Sequence, residues 1–425
     1  MPRLPLKALL AGCFATAALA PGPAGAAATY EVVRQEQTCP KERQPRSLRQ
    51  TLVILDEAIV SAGPEANQRW TRMVVEAADA RDAGTGGLGT RERFTLLVAR
   101  RDGSELVPLF FGCSPNLPPE ESERAKAGDS MFDRFIGSDS EARRKSARDA
   151  FAAGLARALA QVQKRAPEIA ARPAPADGLL KALQNAGRLA DLNHGLPRII
   201  LVTPFGVAEK GRTGDVPAAR RAGFELAERS AIDFGRAEVY LAGAALGDSA
   251  PLEFARALVL GAKGQLAGVR SDGLPRLSPE PTSLRLYAGF IDYVGQRTPL
   301  QVRLAASAQG DLVNSWVETT LSRTTATPLA GKMLCRGQEK GQPPGEVCEV
   351  RGDGRFAQVW FPDPQAEPAD RGKLPFGGAR TIALDLKGRT AAGRILDPKV
   401  IFSGENGQRR EELTFEIQRV EDGQF

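Results

Sequence analysis

What most constrains this chain is a change of hydrophobic period at a proline-rich stretch, residues 273–281. Before it, short unbroken apolar runs alternate with helix-length amphipathic segments. The first run, residues 51–55, reads Thr-Leu-Val-Ile-Leu and ends at Asp56. A continuous apolar run of that length fits a strand buried on both faces, as in a parallel sheet covered by helices. Residues 64–82 then place Trp70, Met73, Val74 and Ala77 at three- and four-residue spacings, which predicts a helix with one apolar face. The runs at 94–99 and 106–111 are separated by Arg101, Asp102, Gly103 and Ser104, and the Asp-Gly pair predicts a hairpin turn between antiparallel strands. Helical stretches at 141–166 and 177–190, a strand at 198–203, a helix at 217–234, a strand at 238–242 and a helix at 251–262 complete the series. The expected fold class over residues 51–272 is α/β: a doubly wound, mainly parallel sheet with helices on both faces and one antiparallel edge strand.

Residues 273–281, with three prolines, read as a linker. Beyond them, runs at 284–291, 300–305, 312–321, 356–361, 381–386, 399–402 and 413–417 lie between glycine, proline and aspartate turns. That spacing predicts an all-β domain over 282–425, a β-sandwich or a relative of one.

The amino terminus predicts export. Arg3 and Lys7 precede an apolar run from Ala8 to Ala20, and small residues follow, so residues 1–26 read as a signal peptide and 27–50 as an N-terminal extension. The destination is periplasmic or secreted. Leu10-Ala11-Gly12-Cys13 also spells a lipobox, and the alternative is a lipoprotein anchored through Cys13. The apolar core continues past Cys13, however, as the middle of a signal helix would. No other segment approaches the roughly 18 apolar residues of a membrane span. Four cysteines then remain, Cys39 and Cys113 before the linker, Cys335 and Cys348 after it. Of three possible pairings, only Cys39 with Cys113 and Cys335 with Cys348 avoids tying strands across the linker. Neither pair has the close spacing of zinc ligands. Loss of the signal lowers the net charge from +6 to +4, with both signs interspersed, so nucleic acid is not an expected partner.

The order of elements over 51–270 resembles the von Willebrand factor A fold, whose buried first strand also ends in aspartate. That resemblance implies a ligand site at the carboxyl ends of the parallel strands. In metal-binding members the first strand leads into Asp-x-Ser-x-Ser, a threonine opens a later helix, and an aspartate follows a Leu-Thr-like pair; together these hold a divalent cation. Here Asp56 matches, but Ala58 and Val60 stand at the serine positions, Asp177 at the threonine, and Pro204 follows Val202-Thr203 in place of the aspartate. The resemblance therefore implies a degenerate metal-ion-dependent adhesion site with no cofactor. A residual cation on Asp56, Glu57 and Asp177 is the alternative. The chain is also similar to exported bacterial proteins that pair such a strand with a Phe-x-Cys-x-Pro element, here Phe111 to Pro115.

Several other motifs lose their chemistry in context. Residues 84–89 match the dinucleotide fingerprint Gly-x-Gly-x-x-Gly, yet a helix precedes and a strand follows, the reverse of what phosphate binding needs; they read as a flexible loop. Arg351-Gly352-Asp353 reads as a hairpin turn. His194 is the single histidine and reads as a helix C-terminal cap, and no serine sits in a nucleophile elbow. Arg143, Arg144, Lys145 and Arg148 open a helix whose other face, with Phe151, Leu155 and Leu159, points to the core; a solvated face explains them. The expected function is that of a non-enzymatic binding or scaffold protein with a protein partner. Its candidate binding residues are Asp56, Glu57, Ser61, Asp177, Thr203, Lys210 and Arg212. A cation-dependent adhesion module is the second reading and an exported hydrolase the third.

Overall fold

The fold is seen in a computed structural model that describes residues 30–35, 39, 47–61, 63–79, 86–117, 123, 139–184, 195–211, 215–247, 250–293, 296–320, 324–336, 347–351, 381–396, 402–403, 409–410 and 412–420. The expected signal with Cys13, the loop start at 84–85, His194, Arg212, Gly352, Asp353 and the run 356–361 lie outside these residues. Seven strands make the first sheet: β1 (Val33–Gln35), β2 (Arg49–Asp56), β3 (Arg93–Ala99), β4 (Leu106–Cys113), β5 (Leu196–Val202), β6 (Glu238–Ala242) and β7 (Gln265–Arg270). Their order is β1-β4-β3-β2-β5-β6-β7. β2 pairs in parallel with β3 and β5, and the parallel ladder continues through β6 to β7. β4 runs antiparallel to β3, as the Asp-Gly turn predicts.

The antiparallel strand is not at the edge, which corrects the expectation. β1 pairs with its far side, Val33 opposite Phe110, so the segment expected as an extension completes the sheet. The Cys39–Cys113 disulfide fastens the chain just beyond β1 to the end of β4.

All eight residues of β2 are buried, because helices cover both faces of the sheet. Alternation along a strand sends Leu52 and Ile54 to one face and Val53 and Leu55 to the other. On the first face Leu52, Ile54, Ile199 and Leu201 join a core with helices α4 (Gly178–Leu183), α5 (Val216–Ser230) and α6 (Ala250–Gly261), where Leu183, Ala219 and Phe254 are fully covered or nearly so. The other face is covered by α1 (Pro64–Ala77) and α2 (Asp139–Lys164), which α3 (Ala166–Ala170) follows. Trp70, Met73, Val74 and Ala77 are buried in the stripe that their spacing predicts. Phe151 of α2 meets Phe94 and Phe110 edge-on, at centroid distances of 6.0 and 5.2 Å.

The second sheet is antiparallel and has nine strands: β8 (Pro281–Tyr293), β9 (Gln296–Ser307), β10 (Ser315–Thr320), β11 (Thr324–Leu329), β12 (Lys332–Arg336), β13 (Val347–Arg351), β14 (Thr381–Lys387), β15 (Thr390–Leu396) and, after the short pair β16 (Phe402–Ser403) and β17 (Arg409–Arg410), β18 (Glu412–Arg419). The order is β11-β10-β9-β8-β18-β15-β14-β13-β12, with the first of these strands in sequence paired to the last. Where a sandwich is expected, a single sheet curls on itself. Leu329 of β11 and Met333 of β12, from opposite ends of the order, share one core with Tyr287, Val302, Leu384 and Phe415. Met333 N donates to Gly310 O at 2.8 Å, which brings the β12 edge to the β9–β10 connection. Cys335 and Cys348 face each other across β12 and β13 and are disulfide-bonded. Residues Glu31–Phe425 form one compact unit. Among the described residues no helix is long and apolar enough to cross a membrane.

Candidate functional site

Because β2 and β5 are parallel neighbours, with Leu55 opposite Val202, their carboxyl ends deliver Asp56 and Thr203 to one place. Thr203 Oγ1 donates to Asp56 Oδ2 at 2.7 Å, and Ala58 N donates to Oδ1 at 2.9 Å, capping a 3-10 turn at Glu57–Ile59. Thr203 Oγ1 accepts from Phe205 N at 2.9 Å in turn. Burial pushes the Asp56 carboxyl above its usual range, against the pull of the Ala58 amide and the Thr203 hydroxyl.

Glu57 is fully buried, which a carboxylate tolerates only with partners. It has them in the β3–β4 hairpin: Arg101 N donates to Oε2 at 3.0 Å, and Arg100 Nη1 lies 3.5 Å from Oε1. The Arg101 guanidinium lies among the carbonyls of the turn. Its Nη1 donates to Glu57 O at 3.2 Å and, more weakly, to Ala58 O and Val60 O at 3.4 and 3.5 Å, while Nε donates to Arg172 O at 2.7 Å. A fixed positive group thus ties the Asp56 loop to the hairpin and to the segment before α4.

The other predicted residues are dispersed. Ser61 follows the turn, where its N–H donates to Asn67 Oδ1 at 3.3 Å and its carbonyl accepts from Asn67 Nδ2 at 2.7 Å. Asn67 Oδ1 also accepts from Trp70 Nε1 at 2.9 Å, so this asparagine, which no sequence motif marks, pins the loop to α1. Asp177 precedes α4 and makes a half-exposed ion pair with Lys181 at 3.2 Å. Among the described residues no three His, Cys, Asp or Glu side chains are gathered to hold a metal ion, so Asp56, Glu57 and Asp177 are not assembled as one. Lys210 lies in the 3-10 segment Gly206–Gly211. Of the basic cluster on α2, Arg143, Lys145 and Arg148 are exposed and Arg144 is half-buried.

The opposite, amino end of the same sheet holds a denser polar cluster that the sequence does not announce. Arg49 opens β2, Arg198 lies near the start of β5, and Glu92 precedes β3; all three are buried. Arg49 grips Glu92 with two bonds, of 3.1 and 2.9 Å, and Arg198 Nη2 lies 3.4 Å from the same carboxylate. Thr51 Oγ1 also donates to it, as does Gly89 N at 2.6 Å. Burial alone would push the Glu92 carboxyl up, but the two guanidiniums more than offset this and hold it below its usual range. Arg198 is pushed down to about 10 by burial and by Arg49 beside it, and stays charged at neutral pH.

The remaining guanidinium donors go to backbone. Arg198 Nη1 donates to Gly86 O at 2.8 Å and Arg49 Nη2 to Gly87 O at 2.9 Å. The described part of the Gly-rich segment is thus an ordered clasp and not a flexible loop. Gly86 has φ +103, and a Cβ there would stand 2.7 Å from Leu277 O; a Cβ on Gly89 would strike the Glu280 carboxyl group. Arg49 Nη1 reaches Ser278 O and Pro279 O, both at 2.9 Å. Ser278 Oγ donates to Glu238 Oε2 at 2.5 Å, and Asn314 N to Glu238 Oε1 at 3.0 Å. The second sheet is docked here by hydrogen bonds to buried charges.

No protein-family model matches the chain, and no curated protein matches it either.

Proposed function

We propose that this is an exported, non-enzymatic binding or scaffold protein that presents the carboxyl edge of a von Willebrand A-like sheet to a protein partner without a bound cation. One observation carries the reading. Both Asp56 oxygens already accept hydrogen bonds, from Ala58 and Thr203, and the Arg101 guanidinium holds the adjoining loop by its carbonyls. The loop that a cation organises in adhesion domains is organised here by the protein's own positive charge. A strand order in which β4, β3, β2, β5, β6 and β7 are successive neighbours, with only β4 reversed among these six, supports the fold resemblance. Two disulfides fit an oxidising compartment.

The test is thermal unfolding of the full chain with millimolar magnesium, calcium or manganese, followed by capture of partners from the native compartment in a chelator. Occupancy at a hundredfold excess over Kd would add about 2.7 kcal/mol and raise the melting temperature visibly. The expected result is no shift, and a partner that is retained in chelator and lost when Ser61→Arg is combined with Lys210→Glu. A saturable stabilisation that disappears in Asp56→Ala would overturn the reading in favour of cation-dependent adhesion.

A further inference from the structure

Where the curled sheet meets the amino end of the parallel sheet, a cavity of about 770 Å³ lies between them, inside the range of small-molecule sites, roughly 300–1,000 Å³. Leu286 and Ala288 of β8 and Trp316 of β10 line it from one side, Leu48 and Leu196 from the other. Trp316 is 1 % exposed and its Nε1 donates to Asn314 Oδ1 at 2.9 Å, so an indole face is fixed in the wall. Gln301 and Thr282, both exposed, mark the side open to solvent.

Charge in the lining is unequal. Arg236 and Arg303 share one lining carboxylate, that of Glu318, which pairs with Arg236 Nη2. Arg236 Nε is buried with no hydrogen-bond partner. Arg303 Nε donates to Asn314 O at 3.2 Å and Nη2 both to Arg236 O at 3.0 Å and to Asn314 Oδ1 at 2.5 Å, while Nη1 makes no hydrogen bond to a described residue. Burial and the neighbouring Arg236 push Arg303 down to about 9, despite the opposing pull of Glu318 and Glu238. The Glu238 carboxylate is turned to Asn314 N and Ser278 Oγ, outside the lining. An apolar chamber with two guanidiniums against one carboxylate at one wall is complementary to a molecule with an apolar body and a single negative head.

We propose that this cavity binds a small monoanionic amphiphile, a free alkyl carboxylate, with the head on Arg236 and Arg303 and the tail along Leu286, Ala288 and Trp316. This site is separate from the carboxyl edge and would stand if that edge bound nothing. Calorimetric titration of the full chain with octanoate, octanol and anionic phospholipid vesicles tests it. The expected result is saturable one-site binding of octanoate, at least tenfold weaker binding of octanol, and no uptake by vesicles. Arg236→Gln and Arg303→Gln should each weaken octanoate at least tenfold and leave octanol unchanged. Because Arg303 also braces Asn314, Ala288→Phe is the companion variant; it narrows the tail region of the chamber while leaving both guanidiniums in place, and should weaken both ligands at least tenfold with an unchanged melting temperature. Equal affinity for octanoate and octanol, unsaturable uptake, vesicle binding that Ala288→Phe leaves intact, or octanoate binding indifferent to Ala288→Phe would each overturn the proposal.

Discussion

The two ends of the parallel sheet solve the problem of buried charge in opposite ways. At the amino end, two arginines and one glutamate are sealed together, and the guanidinium donors continue into the backbone of the Gly-rich segment and of residues 278–279. At the carboxyl end, single carboxylates are held by short loops: Asp56 by an amide and a hydroxyl, Glu57 by the tip of a hairpin. The first arrangement joins distant parts of the chain, over 229 residues between Arg49 and Ser278; the second orders a surface. Removing one member of a sealed cluster leaves its partners charged and dry, and Glu57, paired with the buried Arg100, shares that constraint; removing Asp56 mostly relieves a desolvated group. The amino end is therefore the more brittle end, and Asp56 the buried charge that can change.

The largest expected effect breaks the sealed cluster. Glu92→Gln should destabilise the protein by about 3–5 kcal/mol, since two buried guanidiniums lose their countercharge, and urea unfolding followed by circular dichroism would measure it. Gly86→Ala comes next, at roughly 2–3 kcal/mol, because a side chain meets both a positive φ and the Leu277 carbonyl. Arg101→Ala, at the carboxyl end, should cost about 1–3 kcal/mol as a charged donor to several carbonyls is lost. Its signature is local: faster hydrogen exchange at Ala58–Ser61 with no change around Arg49.

The smallest effect has the opposite sign and separates the ends by pH. Asp56 has a raised folded-state pKa, so the stability it contributes is complete below its ordinary value of 3.8 and lost as pH rises through the folded value. Asp56→Asn should therefore melt slightly higher than wild type at pH 7 and equal to it in acid. Glu92 has a lowered pKa, so its contribution is present above the ordinary 4.5 and lost as pH falls through the folded value. The acid limb of the stability profile should survive Asp56→Asn and flatten in Glu92→Gln. Melting curves across pH would show both.

What could be read from the sequence follows how each element earns its burial. β2, β5 and β6 lie in the middle of their sheet and announce themselves as apolar runs, as does the helix stripe at Trp70, Met73 and Val74. β1 and β7 are edge strands of mixed exposure, with sequences Val-Arg-Gln and Gln-Leu-Ala-Gly-Val-Arg, and carry no such run. In the curled sheet β11, β12, β13 and β15 were also missed: β12 and β13 are only five residues long, and β11 and β15 open on threonine and alanine, so none shows a sustained apolar alternation. The disulfides were legible because counting and chain order left one local pairing. Asp56 and Thr203 were legible as strand-end polar residues that the topology makes neighbours. Arg49, Glu92 and Arg198 were not: charged residues read as surface until a fold shows them facing each other. The flanking glycines were the available signal, since Gly86 and Gly89 sit where backbone must come close to other groups.

The pairing of β8 with β18 has a consequence for how the chain is made. Synthesis proceeds from residue 281 toward residue 419, yet Tyr287–Phe290 find their partners only in Glu416–Arg419, after all the other strands of the sheet. Until then one edge of β8 is open, a free row of amides and carbonyls on a nascent chain in which strands β9 to β15 have already followed. The same holds on a smaller scale for β1, which waits for β4 and for Cys113. A ribosome that stalls or terminates shortly before residue 412 would release a protein whose parallel sheet is whole and whose second sheet is split down the middle. Such truncated products should be far more prone to aggregate and to be degraded than the loss of one strand would suggest.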